Sequence, residues 1–241
     1  MSSRQPGDLD APRLLTEVHK LLSQLETLNR PEDIPPRIHL LERVLTLVSR
    51  TDHPTLWAEL YVKLGDALLR NRMGDRRVQL KRSMACYDTA LTVYTREEMP
   101  ADWARLQHTR GVALHELAGL LTGSEREKIL RDAVTCFEEI LTIGEHQLGP
   151  ANRMLAQNNK GAFLRELAEL LTDSERAKTL QEALACFNEV AAAAHRRHRG
   201  RCEAQTRRAH PGSGGGHVRF PHRGRSLHQE QDGQPVRLEA G

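Results

Sequence analysis

The chain has 241 residues, of which 39% are hydrophobic and only 4% aromatic, and its formal net charge is +3. That length holds one or two domains. So few aromatics argue against a β-sandwich or barrel, while abundant Leu, Ala, Arg and Glu favour helix. No apolar run approaches the ~20 residues of a membrane span, and the opening Met1-Ser-Ser-Arg-Gln-Pro-Gly-Asp has no apolar leader, so a cytoplasmic location is expected.

Residues 1–10 are polar and are expected to be disordered. From Ala11 to about Leu28, Leu14, Leu15, Val18, Leu21, Leu22 and Leu25 follow the i, i+3/i+4 spacing of an amphipathic helix. Pro31, Pro35 and Pro36 interrupt it. Pro36 suits the first turn of a second helix, which reaches to about Ser49 with Ile38, Leu41, Val44, Leu45 and Val48 on one face.

Beyond Ser49 the chain repeats itself. Cys86-Tyr87, Cys136-Phe137 and Cys186-Phe187 stand 50 residues apart, as do Leu80, Leu130 and Leu180. Upstream of each lies a Pro-led block with a glycine inside it: Pro54 to Trp57 with Gly65, Pro100 to Trp103 with Gly111, and Pro150 to Arg153 with Gly161. Each unit reads as a helix opened by proline, a turn, and a second helix. The turns are Arg72-Met-Gly74-Asp75, Thr122-Gly123-Ser124 and Thr172-Asp173-Ser174. Ser124-Glu-Arg-Glu127 reads as a capping box, and Ser174 as a simple cap. Short loops force neighbouring helices antiparallel. Leu41 precedes Trp57 by 16 residues, as Tyr87 precedes Trp103, so the first two helices fit as a degenerate opening unit.

The expected fold is therefore all-α: an α-solenoid of about four antiparallel helical hairpins over 11–194, with units at about 11–50, 54–96, 100–146 and 150–194. A glycine inside a helix costs about 1 kcal/mol against alanine, so Gly65, Gly111 and Gly161 imply close approach of a partner helix. Ser83, Ala133 and Ala183, four residues before Tyr87, Phe137 and Phe187, place a small residue beside each ring. Trp57 and Trp103, at equivalent positions, read as packing anchors rather than ligand platforms.

After Ala194 the composition changes. From His195 onward ten Arg face four acidic residues, and six His and eight Gly appear. This stretch, 195–241, is expected to be a disordered tail. It is also what an out-of-frame translation of a GC-rich gene would resemble, a hypothesis that fails if neither other reading frame of the coding DNA continues an amphipathic pattern past residue 195. Cys86, Cys136 and Cys186 sit one repeat apart, too far for a disulfide, and read as small buried residues of a reduced protein.

The small residue, the aromatic four on, and then Ala90, Ile140 or Val190 three further resemble the second helix of a tetratricopeptide repeat, and Leu64-Gly65 resembles its first helix. The resemblance covers about 54–192 and, more weakly, the chain from residue 11. The units here are longer than the 34 residues of the standard repeat. The extra residues lie between the glycine and the small residue. Pro100-Ala-Asp-Trp-Ala104 and Gln157-Asn-Asn-Lys-Gly161 resemble long-repeat arrays of bacterial multidomain proteins, where they accompany CHAT-type peptidase domains or signalling ATPases. Only the array carries over.

The resemblance implies a non-catalytic scaffold that binds a protein or peptide in the groove lined by the first helices. Alignment on the glycine makes Arg105, His108, His115, Asn158 and Arg165 the groove-facing candidates. Of these only Asn158 is of the type used to clamp a terminal carboxylate, and no Lys pattern accompanies it. Two alternatives stand beside this reading: nucleic-acid association through the basic tail, and self-association through the uncapped last repeat.

No catalytic or cofactor motif emerges. His115-Glu116 opens like a zinc-protease helix, but Gly119 occupies the place of the second histidine. Gly214-Gly-Gly216 follows no strand and lacks Gly-Lys-Ser/Thr. His195, His198 and Cys202 match no zinc spacing. No enzyme activity, metal or cofactor is expected.

Overall fold

A computed structural model describes residues 11–209, and every regular element among them is helical. The helices are α1 (Ala11–Thr27), α2 (Ile34–Leu45), α3 (Pro54–Arg70), α4 (Arg76–Ala90), α5 (Pro100–Ala118), α6 (Gly123–Leu141), α7 (Glu145–Leu148), α8 (Pro150–Ala168) and α9 (Asp173–Ala209). A single 3-10 turn, Pro31–Asp33, joins α1 to α2. Pro54, Pro100 and Pro150 each open a helix, where the N–H that proline lacks has no intrahelical partner anyway. At the start of α4, the Asp75 carboxylate caps the helix by accepting from the backbone N–H of Arg77 (2.8 Å) and of Val78 (3.3 Å). No described helix is long and apolar enough to cross a membrane.

The main helices pack in chain order: α1 on α2, α2 on α3, α3 on α4, α4 on α5, α5 on α6, and α6 on α8, with the short α7 against α5 and α8. The core is shared in the same stepwise way. Val18, Leu21, Leu41, Leu60 and Leu68 join α1, α2 and α3. Ala58, Tyr87 and Leu106 join α3, α4 and α5. Leu114, Phe137, Phe163 and Cys186 join α5, α6, α8 and α9. Tyr87 and Phe137 are wholly buried.

The helical glycines explain how these rings are admitted. A Cβ on Gly65 would lie 2.6 Å from Cε1 of Tyr87, and one on Gly111 would lie 2.6 Å from Cε2 of Phe137. Gly161 is looser, with Phe187 at 3.0 Å. In the first of these hairpins the hydroxyl of Ser83 donates to the Gly65 carbonyl at 2.8 Å, and the Tyr87 hydroxyl donates to Asp66 at 2.8 Å.

Contacts between successive units recur at the repeat step. Arg76 on α4 makes a two-pronged bond to Glu116 at the end of α5, with Nε at 3.0 Å and Nη2 at 2.6 Å. Fifty residues on, Arg126 of α6 meets Glu166 of α8 at 3.7 Å. Asp88 pairs with Arg110 at 2.7 Å, and its equivalent Glu138 pairs with Lys160 at 3.0 Å. Before the first two Pro-led helices an arginine lies over a tryptophan: Arg50 is 5.5 Å from the Trp57 ring and Arg96 is 6.0 Å from Trp103. Both also donate to a helix-end carbonyl further along, Arg50 to Thr92 and Arg96 to Thr142, at 3.2 Å each. The two tryptophans are partly buried against the core clusters. Arg153 replaces the third tryptophan and donates to the Leu141 carbonyl at 3.2 Å.

Three expectations are corrected. The helices after the second and third turns begin at Gly123 and Asp173, so Ser124 and Ser174 lie inside the first turn and are not caps. The second helix stops at Leu45, although Val48 beyond it is still buried. Helix also continues past Ala194 to Ala209 in the stretch expected to be disordered. Ala191 to Ala194 and the following Arg, Glu and Gln residues are good helix formers, and no proline occurs before Pro211. The chain divides into two units, 1–197 and 198–241; of the second, residues 198–209 are described and are helical. The expected disorder of 1–10 and of 210–241 lies outside the described residues.

Candidate functional site

A cleft of about 360 Å³ opens among the N-terminal halves of α5 and α8, the end of α6 and the short α7. Its apolar walls are Ala104, Ile140, Leu148, Leu155 and Ala156, and its polar edge is Asp102, Arg105, His108 and Asn152. The short α7 supplies Leu148, whose carbonyl accepts from Asn152 Nδ2 at 2.9 Å. Gly149, at φ 78°, makes the sharp reversal from α7 into α8, a left-handed backbone that suits glycine. The geometry thus offers a hydrophobic floor with charge at the rim. Arg105 is exposed and only loosely held, 3.6 Å from Asp102.

The five candidate residues divide into three groups. Arg105 and His108 line the cleft. His108 is half-committed: Asn159 on α8 donates to its Nε2 at 2.9 Å, and its ring meets Phe137 edge-on at 5.5 Å. Accepting that bond requires a neutral ring, and burial lowers the His108 pKa from its ordinary value. His115 does not line the cleft. It stacks on Phe163 at 4.2 Å, and its Nε2 lies 2.8 Å from Glu166, so it joins α5 to α8. Asn158 and Arg165 hold the same repeat positions on α8 as His108 and His115 hold on α5, and both are exposed.

Leu155, Asn152 and Leu148 complete the cleft but were not among the candidates. Leu155 carried a signal: it stands at the repeat position of Arg105, and a leucine is out of place on an exposed helix face. Leu148 belongs to a four-residue helix too short to leave a periodic trace.

A second cleft, of about 310 Å³, lies where α1, α2 and α3 meet and is edged by Arg30, Arg37, Lys63 and Arg70. Its basic groups are largely engaged. Arg37 donates to the Leu28 carbonyl at 2.8 Å, Lys63 pairs with Glu59 at 2.8 Å, and Asp66 lies among them.

The buried thiols are packing groups. Burial pushes Cys86 up to about 11. Burial also raises Cys136 and Cys186, against the lowering charges of Arg110 and Lys160. Among the described residues no three His, Cys, Asp or Glu side chains come together as a metal-holding group. Comparison with protein-family models and with curated protein sequences returned no match.

Proposed function

We propose that the helical units form a tetratricopeptide-like right-handed solenoid, and that this array is a non-catalytic scaffold. On this reading it takes a peptide segment of a protein partner into the cleft between α5 and α8. The observation that supports it is the apolar floor of Ala104, Leu148, Leu155 and Ala156 with the exposed Arg105 at its edge. Such a shape suits one apolar side chain of an extended peptide, with an acidic neighbour meeting Arg105. Gly65, Gly111 and Gly161, each against an aromatic of the paired helix, support the repeat reading.

The test is selection of peptides from a random displayed library on the immobilised full chain, followed by calorimetry on those enriched. Leu155 and Arg105 are exposed, so Leu155→Glu and Arg105→Glu should leave the melting temperature unchanged. Each is expected to weaken the selected peptides by at least about tenfold. Peptides that bind equally well to both variants would rule this cleft out as the binding site.

A further inference from the structure

The last hairpin presents to solvent the face that every earlier hairpin buries. Leu80 and Leu130 are 0% exposed, whereas Leu180 is 41% exposed. Val134 is 5% exposed, whereas Leu184 is 59% exposed. Phe137 is wholly buried, while Phe187 is only partly covered. The cause is visible at the internal junctions. Leu167 of α8 packs in one cluster with Leu130, and Phe163 meets Phe137 edge-on at 5.3 Å. Among the described residues no such helix lies over the corresponding residues of α9.

The internal junctions also state the chemistry of what fits there. The covering helices carry the same pattern: Ala113-x-x-Glu116-Leu117 on α5 and Phe163-x-x-Glu166-Leu167 on α8. The glutamate meets the arginine at the start of the underlying helix, Arg76 with Glu116 and Arg126 with Glu166. The next member of that arginine series, again 50 residues on, is Arg176, and it is exposed beside Leu180 and Leu184. We infer that the face formed by Arg176, Leu180, Leu184 and Phe187 is a docking surface for an amphipathic helix of a partner protein, one that presents an apolar residue followed three and four positions on by Glu and Leu.

A second copy of this chain fits less well. The exposed face of α1 carries one apolar residue, Leu15, among His19, Lys20, Ser23 and Glu26, too little to cover both Leu180 and Leu184. The α9 face itself has no Phe/Ala-x-x-Glu-Leu pattern of the kind that covers Leu80 and Leu130 on the internal junctions. This inference concerns a different face from the α5–α8 cleft and stands or falls separately.

The probe is this chain's own α8 sequence, residues 150–171, made as a hydrocarbon-stapled fluorescent peptide and titrated with the full chain. Saturable anisotropy is expected. Leu184→Glu and Arg176→Glu are both exposed positions on which folding does not depend, and each should weaken binding by at least about tenfold. A peptide carrying Glu166→Arg should recover affinity for the Arg176→Glu chain, which simple loss of a hydrophobic contact would not produce. Leu15→Glu, on the exposed side of α1, should change nothing. Absence of saturable binding overturns the inference, as does binding indifferent to both α9 substitutions. A full chain that sediments as a dimer, and becomes monomeric with Leu184→Glu, also overturns it and assigns the face to a second copy.

Discussion

The ring of Tyr87 lies against Gly65 so closely that a single added methyl would sit 2.6 Å from Cε1. Tyr87 is 0% exposed and its hydroxyl is held by Asp66, so the ring has nowhere to retreat. The same relation holds between Gly111 and Phe137. Gly65→Ala and Gly111→Ala should each destabilise the chain by a net ~1–2 kcal/mol, overpacking outweighing the gain in helix propensity. Gly161→Ala should be near neutral, because Phe187 stands at 3.0 Å and is partly exposed, free to shift. Urea unfolding followed by circular dichroism gives the three values, and equal losses at all three sites would refute this packing account.

His108 should make the fold sensitive to mild acid. Burial lowers its pKa below the ordinary 6.5, and the bond from Asn159 needs the neutral ring. The unfolded state therefore binds the proton more readily. The contribution is whole above the unfolded pKa and is lost as pH falls through the lower folded one. His108→Gln, which can still accept from Asn159, should flatten the decline in urea midpoint between about pH 7 and pH 5. An unchanged slope would place the acid sensitivity elsewhere.

Glu116 ties two units together and should add a second loss of stability in acid, at lower pH than His108. Burial alone would raise its pKa, but the hydrogen bonds and charges of Arg76 and Arg72 outweigh that and hold the carboxyl below its ordinary 4.5. Its contribution is present above that value and disappears as pH falls through the folded pKa. Glu116→Gln should cost about 1 kcal/mol at neutral pH, the site being only partly buried, and the gap to wild type should close in acid. Chemical denaturation at several pH values reads this directly.

The three described thiols should label in a set order. Cys86 is pushed up to about 11 by burial, and Cys136 is 1% exposed. Cys186 is buried too, but it sits on α9, where the neighbouring Leu180 and Leu184 are exposed. Pulsed alkylation at neutral pH with mass spectrometry should find Cys186 modified first, with Cys86 and Cys136 protected until global unfolding. Early modification of Cys136 would mean that α5 and α6 separate in the native state.

What the sequence made legible is whatever recurs at one position in every unit. The Gly65–Tyr87 kind of contact was readable because a helix-breaking residue and a ring kept step through three units. The ion pairs were equally periodic, with Arg76, Arg126 and Arg176 at one step and Glu116 and Glu166 at the same step, yet surface charges in helices are so common that the series did not stand out. Arg50 and Arg96 each precede a tryptophan by seven residues, a spacing that goes unnoticed until both are seen to reach the next unit's helix end. His115 was placed in the groove by alignment. Its stacking on Phe163 depends on a residue whose equivalent on α5 is Ala113, so no repeat rule could foretell it. The helix over 195–209 is masked by composition: Arg and His crowd it as they crowd the stretch beyond, yet both tolerate helix.

The arginine clasps also separate the parts of each hairpin that tolerate a change of length from those that do not. Arg50 reaches Thr92 over 42 residues and Arg96 reaches Thr142 over 46, and the shorter unit is trimmed between Gly65 and Leu80, around the bend. The Pro-bearing end is thus the anchored end. Insertions, affinity tags or reporter loops belong at the bend between α5 and α6, where the unit already carries four more residues than the one before it without disturbing the Arg96 clasp; the bend between α3 and α4 is itself tied to Glu116 by Arg72 and Arg76.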